Sequence, residues 1–146
     1  MISIHRSALV GHSATEMYRL VEEVEAYPRF LPWCSGAEVE SRDDRRTVGT
    51  LHIDFKGVRQ QFTTENLKTP DESIEMRLVR GPFRSLEGSW RFVPLAPDAS
   101  RVELELRYEF ASALLGRLVG PVFNHVANTM VDAFVRRADA VAAGRP

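Results

Sequence analysis

The sequence predicts an α+β fold, one antiparallel sheet of about seven strands with a long C-terminal helix laid across it. Three observations lead there. Hydrophobicity alternates with period two from about Ser35 to Phe110, and after Phe110 it recurs at three and four. The connections between the alternating runs are short, which suits a meander and leaves no room for parallel crossovers. The 146 residues, 44% of them hydrophobic, fit a single domain spanning 1–146 that buries a real core without disulfides or metal.

Each element follows from its residues. Ile2 to Val10 alternates well enough for a strand, and Gly11 ends it. Ser13-Ala14-Thr15-Glu16 reads as a capping box, with Met17, Leu20, Val21 and Val24 on one helical face behind it. Pro28 and Pro32 bracket Arg29-Phe30-Leu31, so Ala26 to Trp33 is a short helical turn or loop. Gly49, Leu51, Ile53 and Phe55 then share a face opposite Thr50, His52 and Asp54, and Gly57 turns the chain into the unusually polar run Val58 to Leu67. Ile74, Met76 and Leu78 form the next apolar face, followed after Gly81-Pro82 by Leu86, Gly88, Trp90 and Phe92. Val102, Leu104, Leu106, Tyr108 and Phe110 alternate with charged residues, the cleanest half-buried strand in the chain.

The closing helix carries Leu115, Leu118, Val119, Val122, Phe123, Val126, Met130, Phe134, Ala138 and Val141 on its apolar side. Asn124, Asn128, Asp132, Arg136 and Asp139 fall on the other. Pro121 cannot donate to the carbonyl four residues back, so the helix either starts or kinks there; the expected span runs from near Pro121 to Val141. Its apolar arc is wider than a surface helix needs, which implies two apolar contacts or a partner.

Composition removes whole classes of function. One cysteine, Cys34, excludes an internal disulfide framework and a cysteine-rich zinc site, and reads as a small apolar residue. No apolar run approaches the ~20 residues of a membrane-spanning helix, and the N-terminus lacks a signal-peptide pattern. The expectation is a soluble cytoplasmic protein. Lys56 and Lys68 are the only lysines among 19 basic residues. With a net charge of −1, this arginine preference does not announce a nucleic-acid partner, and no DNA binding is expected. His5, His12, His52 and His125 lack metal-ligand spacing, and no phosphate loop, nucleophile elbow or paired-carboxylate motif is present. The reading is non-enzymatic, with neither cofactor nor metal.

What remains is shape. A curved sheet presenting Leu51, Ile53, Phe55, Trp90, Phe92, Leu106 and Tyr108, closed by Val126, Met130 and Phe134 of the helix, can enclose an apolar pocket or pack solid. Gly49 and Gly88 on that face either permit curvature or leave room for a ligand. Phe83, after Gly81-Pro82, is either a staple of its hairpin or part of the pocket's lid.

Three stretches carry a resemblance. Ala8-Leu9-Val10 with Ser13-Ala14-x-x-Met17-Tyr18-x-Leu20-Val21 and Tyr27-Pro28-x-Phe30-Leu31-Pro32-x-Cys34 resembles the opening of the coenzyme Q-binding branch of START-like proteins. Gly81-Pro82-Phe83-x-x-Leu86-x-Gly88-x-Trp90-x-Phe92-x-Pro94-Leu95 resembles its central signature, and Phe123-x-x-Val126-Ala127-Asn128-x-Met130-Val131-x-Ala133-Phe134 its closing helix. Within that family the chain is most similar to the bacterial ribosome association toxins of the RatA type.

The resemblance implies a helix-grip fold (START-like, Bet v 1-like), a seven-stranded antiparallel sheet gripping a long C-terminal helix around an elongated apolar cavity. It also implies two activities. One is binding of ubiquinone or another prenylquinone in support of respiration, with transient membrane contact and a pocket of roughly 300–1,000 Å³. The other is binding of the large ribosomal subunit so that subunit association is blocked. The apolar inner face favours the first. The second has only scattered arginines behind it: Arg42, Arg45 and Arg46 in one loop, Arg80 and Arg84 near another. A cyclase-like enzyme is a third reading, resting on fold analogy alone. The ligand-site candidates are therefore Leu51, Ile53, Phe55, Phe83, Gly88, Trp90, Phe92, Leu106, Tyr108, Val126, Met130 and Phe134.

Overall fold

The computed structural model describes residues 1–145. Strand β1 (Ile2–Val10) leads into helix α1 (Ala14–Glu22) and a 3-10 segment (Val24–Arg29). Six strands follow: β2 (Cys34–Arg42), β3 (Arg46–Phe55), β4 (Val58–Thr69), β5 (Ser73–Arg80), β6 (Phe83–Ala96) and β7 (Ala99–Phe110). Helix α2 (Ala113–Ala142) closes the chain. All seven strands pair antiparallel in one sheet, in the order β1-β7-β6-β5-β4-β3-β2. β2 to β7 is thus a meander of tight connections, and β1 alone leaves sequence order, taking the edge beside β7. Register shifts in β2, in the β4–β5 pair and in β6 bend the strands, so the sheet curves around α2.

The local chemistry explains each boundary. Ser13 caps α1, its Oγ accepting from the Glu16 amide at 3.1 Å. The reciprocal half of the capping box is replaced: Glu16 turns its carboxylate toward His12 Nδ1, 3.4 Å away, instead of the Ser13 amide. Lys56 and Gly57 supply the left-handed backbone (φ 50° and 81°) that a two-residue turn between β3 and β4 requires.

Helix α2 departs from expectation at its start. It begins two turns before Pro121, capped by Ser112, whose Oγ accepts from the Leu115 amide at 3.2 Å. The proline forfeits one backbone bond, to the Arg117 carbonyl. Packing across those turns offsets the loss: Val119, Gly120 and Val122 are buried, and Gly116 and Gly120 face the Phe110 ring. The buried face is also narrower than the apolar arc. Leu118 and Val141 stand in solvent at 61% and 48% exposure, because the sheet reaches only the stripe centred on Phe123, Ala127 and Phe134. Asn124 sits on the sheet side, not the solvent side, and accepts a hydrogen bond from the Tyr108 hydroxyl. Asp132 faces solvent as its position on the wheel predicts.

The core is aromatic and continuous. Phe83, Phe110, Phe123, Tyr108 and Phe62 gather at one end, with Phe83–Phe123 and Tyr108–Phe123 centroids 4.8 Å apart. Trp90, Phe134, Tyr27 and Phe30 gather at the other. The edge-to-face angles of most of these pairs suit ring quadrupoles and hold α2 at a fixed height over the sheet.

Candidate functional site

The curved sheet, α2 and the 3-10 segment enclose one predominantly apolar cavity. β3 contributes Gly49 and Leu51, β4 Phe62, Thr64 and Asn66, and β5 Met76. β6 adds Leu86 and Trp90, β7 Leu106, α2 Phe123, Val126 and Met130, and the 3-10 segment Val24 and Tyr27. The cavity measures about 50 Å³. That is room for a water molecule or two, well short of the roughly 300–1,000 Å³ that a drug-sized ligand fills. Of the two alternatives the sequence left open, an enclosed pocket or a solid core, the structure lies near the second, and it does not hold the quinone-sized pocket that the resemblance implies. Trp90 and Phe134 meet edge to face at 5.3 Å and Met130 lies in the wall, so side chains occupy the space.

Of the residues singled out in the sequence, the structure brings Leu51, Trp90, Leu106, Val126 and Met130 to the cavity wall. The others lie elsewhere. Ile53 is buried opposite Cys34 on β2. Phe55 sits at the tip of the β3–β4 hairpin, stacked on His125 with centroids 5.3 Å apart. Phe83 is a buried core aromatic between Phe110 and Phe123 and lies outside the cavity wall. Phe92 stacks on Trp90 and meets Tyr18 of α1, and Phe134 is fully buried against Tyr27, Phe30 and Trp90. Tyr108 is fully buried and tied to Asn124.

Gly88 leaves no space on the inner face of the sheet, where its Cβ would lie. A Cβ there would lie 2.4 Å from the Glu105 carbonyl oxygen and 2.6 Å from Leu106 Cδ2. The glycine lets β7 approach β6 closely: the Glu105 carbonyl and the end of the Leu106 side chain take the space a Cβ would need.

Sequence reasoning passed over Phe62, Thr64 and Asn66 because their strand reads as polar. Their signal is register: Phe62 pairs with Leu51 and Thr64 with Gly49, so the three share the inner face. Thr64 Oγ1 donates to Asn66 Oδ1 at 2.8 Å, which satisfies the polar pair locally within an apolar wall. Met76, Leu86 and Phe123 belonged to faces already read as apolar. Val24 and Tyr27 reach the cavity through a turn whose path no periodicity foretells.

No side chain in the wall is poised for acid–base chemistry. Its one ionisable group is Tyr27, whose hydroxyl donates to the Val21 carbonyl and whose pKa burial drives strongly upward. Burial likewise pushes the Cys34 thiol up to about 11, so it is protonated and unreactive near neutral pH. His12 lies away from the cavity, buried, with Nε2 2.7 Å from Asp139 and Nδ1 3.4 Å from Glu16.

The arginines noted in the sequence are largely neutralised in place. Arg42 pairs with Glu25 at 2.7 Å and Glu22 at 2.9 Å, Arg46 with Glu65 at 2.6 Å, Arg80 with Glu40, and Arg84 with Glu109 at 3.3 Å. Among the described residues no helix is long and apolar enough to cross a membrane.

An antiparallel seven-stranded sheet wrapped on one long helix, with an apolar cavity between, is the helix-grip architecture of the START superfamily. The resemblance seen in the sequence points the same way. Residues 10–135 match the family described as polyketide cyclase / dehydrase and lipid transport, and the chain belongs to that family. It is 44% identical to the ribosome association toxin RatA of Vibrio cholerae, over 97% of this chain and 98% of the toxin. It is 30% identical to the mitochondrial coenzyme Q-binding protein COQ10 homolog B of Xenopus laevis, over 94% of this chain and 58% of that protein. Among solved structures, a START superfamily protein from Mycobacterium smegmatis superposes with a TM-score of 0.80 at 21% identity, covering 95% of this chain and 98% of the other. The Zhui aromatase/cyclase from a Streptomyces species superposes with a TM-score of 0.84 at 18% identity, covering 99% of each chain. Those two likenesses speak to the fold alone.

Proposed function

We propose that this chain is a ribosome-associating protein of the RatA type, acting in the cytoplasm by binding the large ribosomal subunit and opposing subunit joining. The observation that carries this reading is the 44% identity to a RatA toxin, which runs through nearly the whole of both chains. The closed cavity supports the same order of preference, since about 50 Å³ does not hold a quinone ring without rearrangement. The test is light scattering of purified small and large subunits joining in the presence of the protein. Joining should fall as the protein is titrated, with co-sedimentation on the large subunit. Unchanged joining at saturating protein would refute the reading.

A second reading has its own observation. The cavity wall is almost wholly apolar and runs from Leu51 through Trp90 to Met130, which suits a prenylquinone admitted by side-chain rearrangement; ubiquinone is the candidate ligand, and the COQ10 relative supports it. Quenching of Trp90 fluorescence by a short-chain ubiquinone tests this directly. A saturable decrease supports binding, and a strictly linear one refutes it.

The likeness to aromatase/cyclases does not carry their chemistry here. A cavity whose one ionisable wall residue is a tyrosine already donating to a backbone carbonyl supplies no group to take or give a proton in catalysis, which supports a non-enzymatic role.

A further inference from the structure

The outward face of α2 changes character along its length. Toward the C-terminal end it carries Asp132, Arg136 and Asp139. Over the first turns it carries Leu114 and Leu118, one turn apart and 60% and 61% exposed, followed by the exposed Pro121. From Ala113 to Val131 the helix has no acidic residue, and Arg117 is its one arginine.

The β3–β4 hairpin adds a second cation to this face. Phe55 stacks on His125, one turn beyond Pro121, and Lys56 Nζ lies 5.4 Å from the Phe55 ring. Neither Lys56 nor Arg117 has a carboxylate partner among the described residues. The acids nearest to them in the chain are already engaged, Asp54 with Arg59 at 3.5 Å and Glu109 with Arg84 at 3.3 Å. Exposed Met1 and Ile2 extend the apolar area, sharing a cleft at the start of α2 with Ser112, Ala113 and the paired Arg84 and Glu109.

We propose that this face docks on the surface of an anionic phospholipid bilayer. Leu114, Leu118 and Met1 enter the boundary between headgroups and acyl chains, and Lys56 and Arg117 meet lipid phosphates. Two large aliphatic side chains held out in water one turn apart, with two cations beside them that lack carboxylate partners, supply the apolar insertion and the headgroup attraction that interfacial binding uses. The charge pattern selects this occupant over others. A second copy of the chain would oppose two faces of net positive charge, since their acids, Asp54 and Glu109, are already paired. A nucleic acid would use the cations but would gain nothing from the leucines. The inference is independent of ribosome binding and of ligand binding in the cavity.

Vesicle flotation tests it, using the full chain with phosphatidylcholine vesicles and with vesicles of phosphatidylcholine and phosphatidylglycerol. The protein should float with the anionic vesicles at low ionic strength and be released by salt. The double variant Leu114→Ser/Leu118→Ser should lose about tenfold or more in partitioning. Lys56→Gln and Arg117→Gln should each lose about fivefold. All four positions lie outside the packed core, so unchanged thermal melting confirms that the variants are folded. Failure to float with anionic vesicles overturns the proposal, as does flotation that the leucine variant retains. It is equally overturned if the leucine variant instead abolishes a concentration-dependent dimer, or binding to ribosomal subunits, while vesicles bind nothing.

Discussion

Gly88→Ala tests the account of how the cavity wall is built. In the β6–β7 ladder Gly88 stands opposite Leu106 and Ser89 opposite Glu105. An added Cβ would meet the Glu105 carbonyl oxygen at 2.4 Å and Leu106 Cδ2 at 2.6 Å, against 3.4–4 Å for ordinary contact. The leucine end can rotate, but the carbonyl cannot. β7 is held by β6 on one side and β1 on the other, so withdrawing Glu105 by about 1 Å disturbs ladder bonds on both. Overpacking by one carbon costs about 1–3 kcal/mol where side chains can give way. With backbone as the obstacle we expect the upper end, about 3 kcal/mol. At this chain length that lowers the melting temperature by about 6–12 °C. Gly11→Ala is the control, since its Cβ meets nothing within 4 Å, and it should change stability by less than about 0.5 kcal/mol. Urea midpoints and thermal melts of both variants give the answer. A Gly88→Ala protein within about 0.5 kcal/mol of the parent would refute the close approach and restore open space at this position.

Three further outcomes are expected. Phe83→Ala should cost about 3–5 kcal/mol in denaturant titration, because the ring fills the cluster of Phe62, Phe110 and Phe123; a loss below about 1 kcal/mol would return it to the surface. Glu22→Ala should cost about 3 kcal/mol by stranding the buried Lys68 ammonium, now 3.1 Å from its carboxylate. Lys68→Met should be nearly neutral, because Glu22 keeps Arg42 at 2.9 Å, and equal losses in the two variants would refute the asymmetry. Burial raises Cys34 from the usual 9.0 to about 11 and Tyr108 from 10.0 to about 12, and pushes Tyr27 in the same direction. The unfolded chain therefore gives up these protons first, so stability is full below about pH 9 and falls as pH rises toward 12; a urea midpoint that climbs from pH 9 to 11 would contradict this.

The sequence by itself determined the order of elements, the antiparallel meander and the inner face of most strands. Alternation at Leu51, Leu86, Trp90, Leu104 and Leu106 reports burial on one side directly, since a strand's side chains point to opposite faces whatever the neighbours are. It also determined the helix that closes the sheet and the family to which its motifs pointed. The tertiary structure alone decided what the inner face does. Whether Phe92 and Phe134 border a cavity or fill a core depends on how far α2 stands from the sheet, and the Trp90–Phe134 contact at 5.3 Å fixes that. Gly88 is compatible with empty space or with a close neighbour until the Glu105 carbonyl and the end of the Leu106 side chain are seen in the space a Cβ would need. Pro121 could not be placed within the helix from its own chemistry, because packing of the preceding turns on Phe110 outweighs one lost backbone bond. Periodicity records which side of an element meets other atoms. How closely they meet is set by side chains distant in the chain, and here that distance separates an open pocket from a nearly filled one.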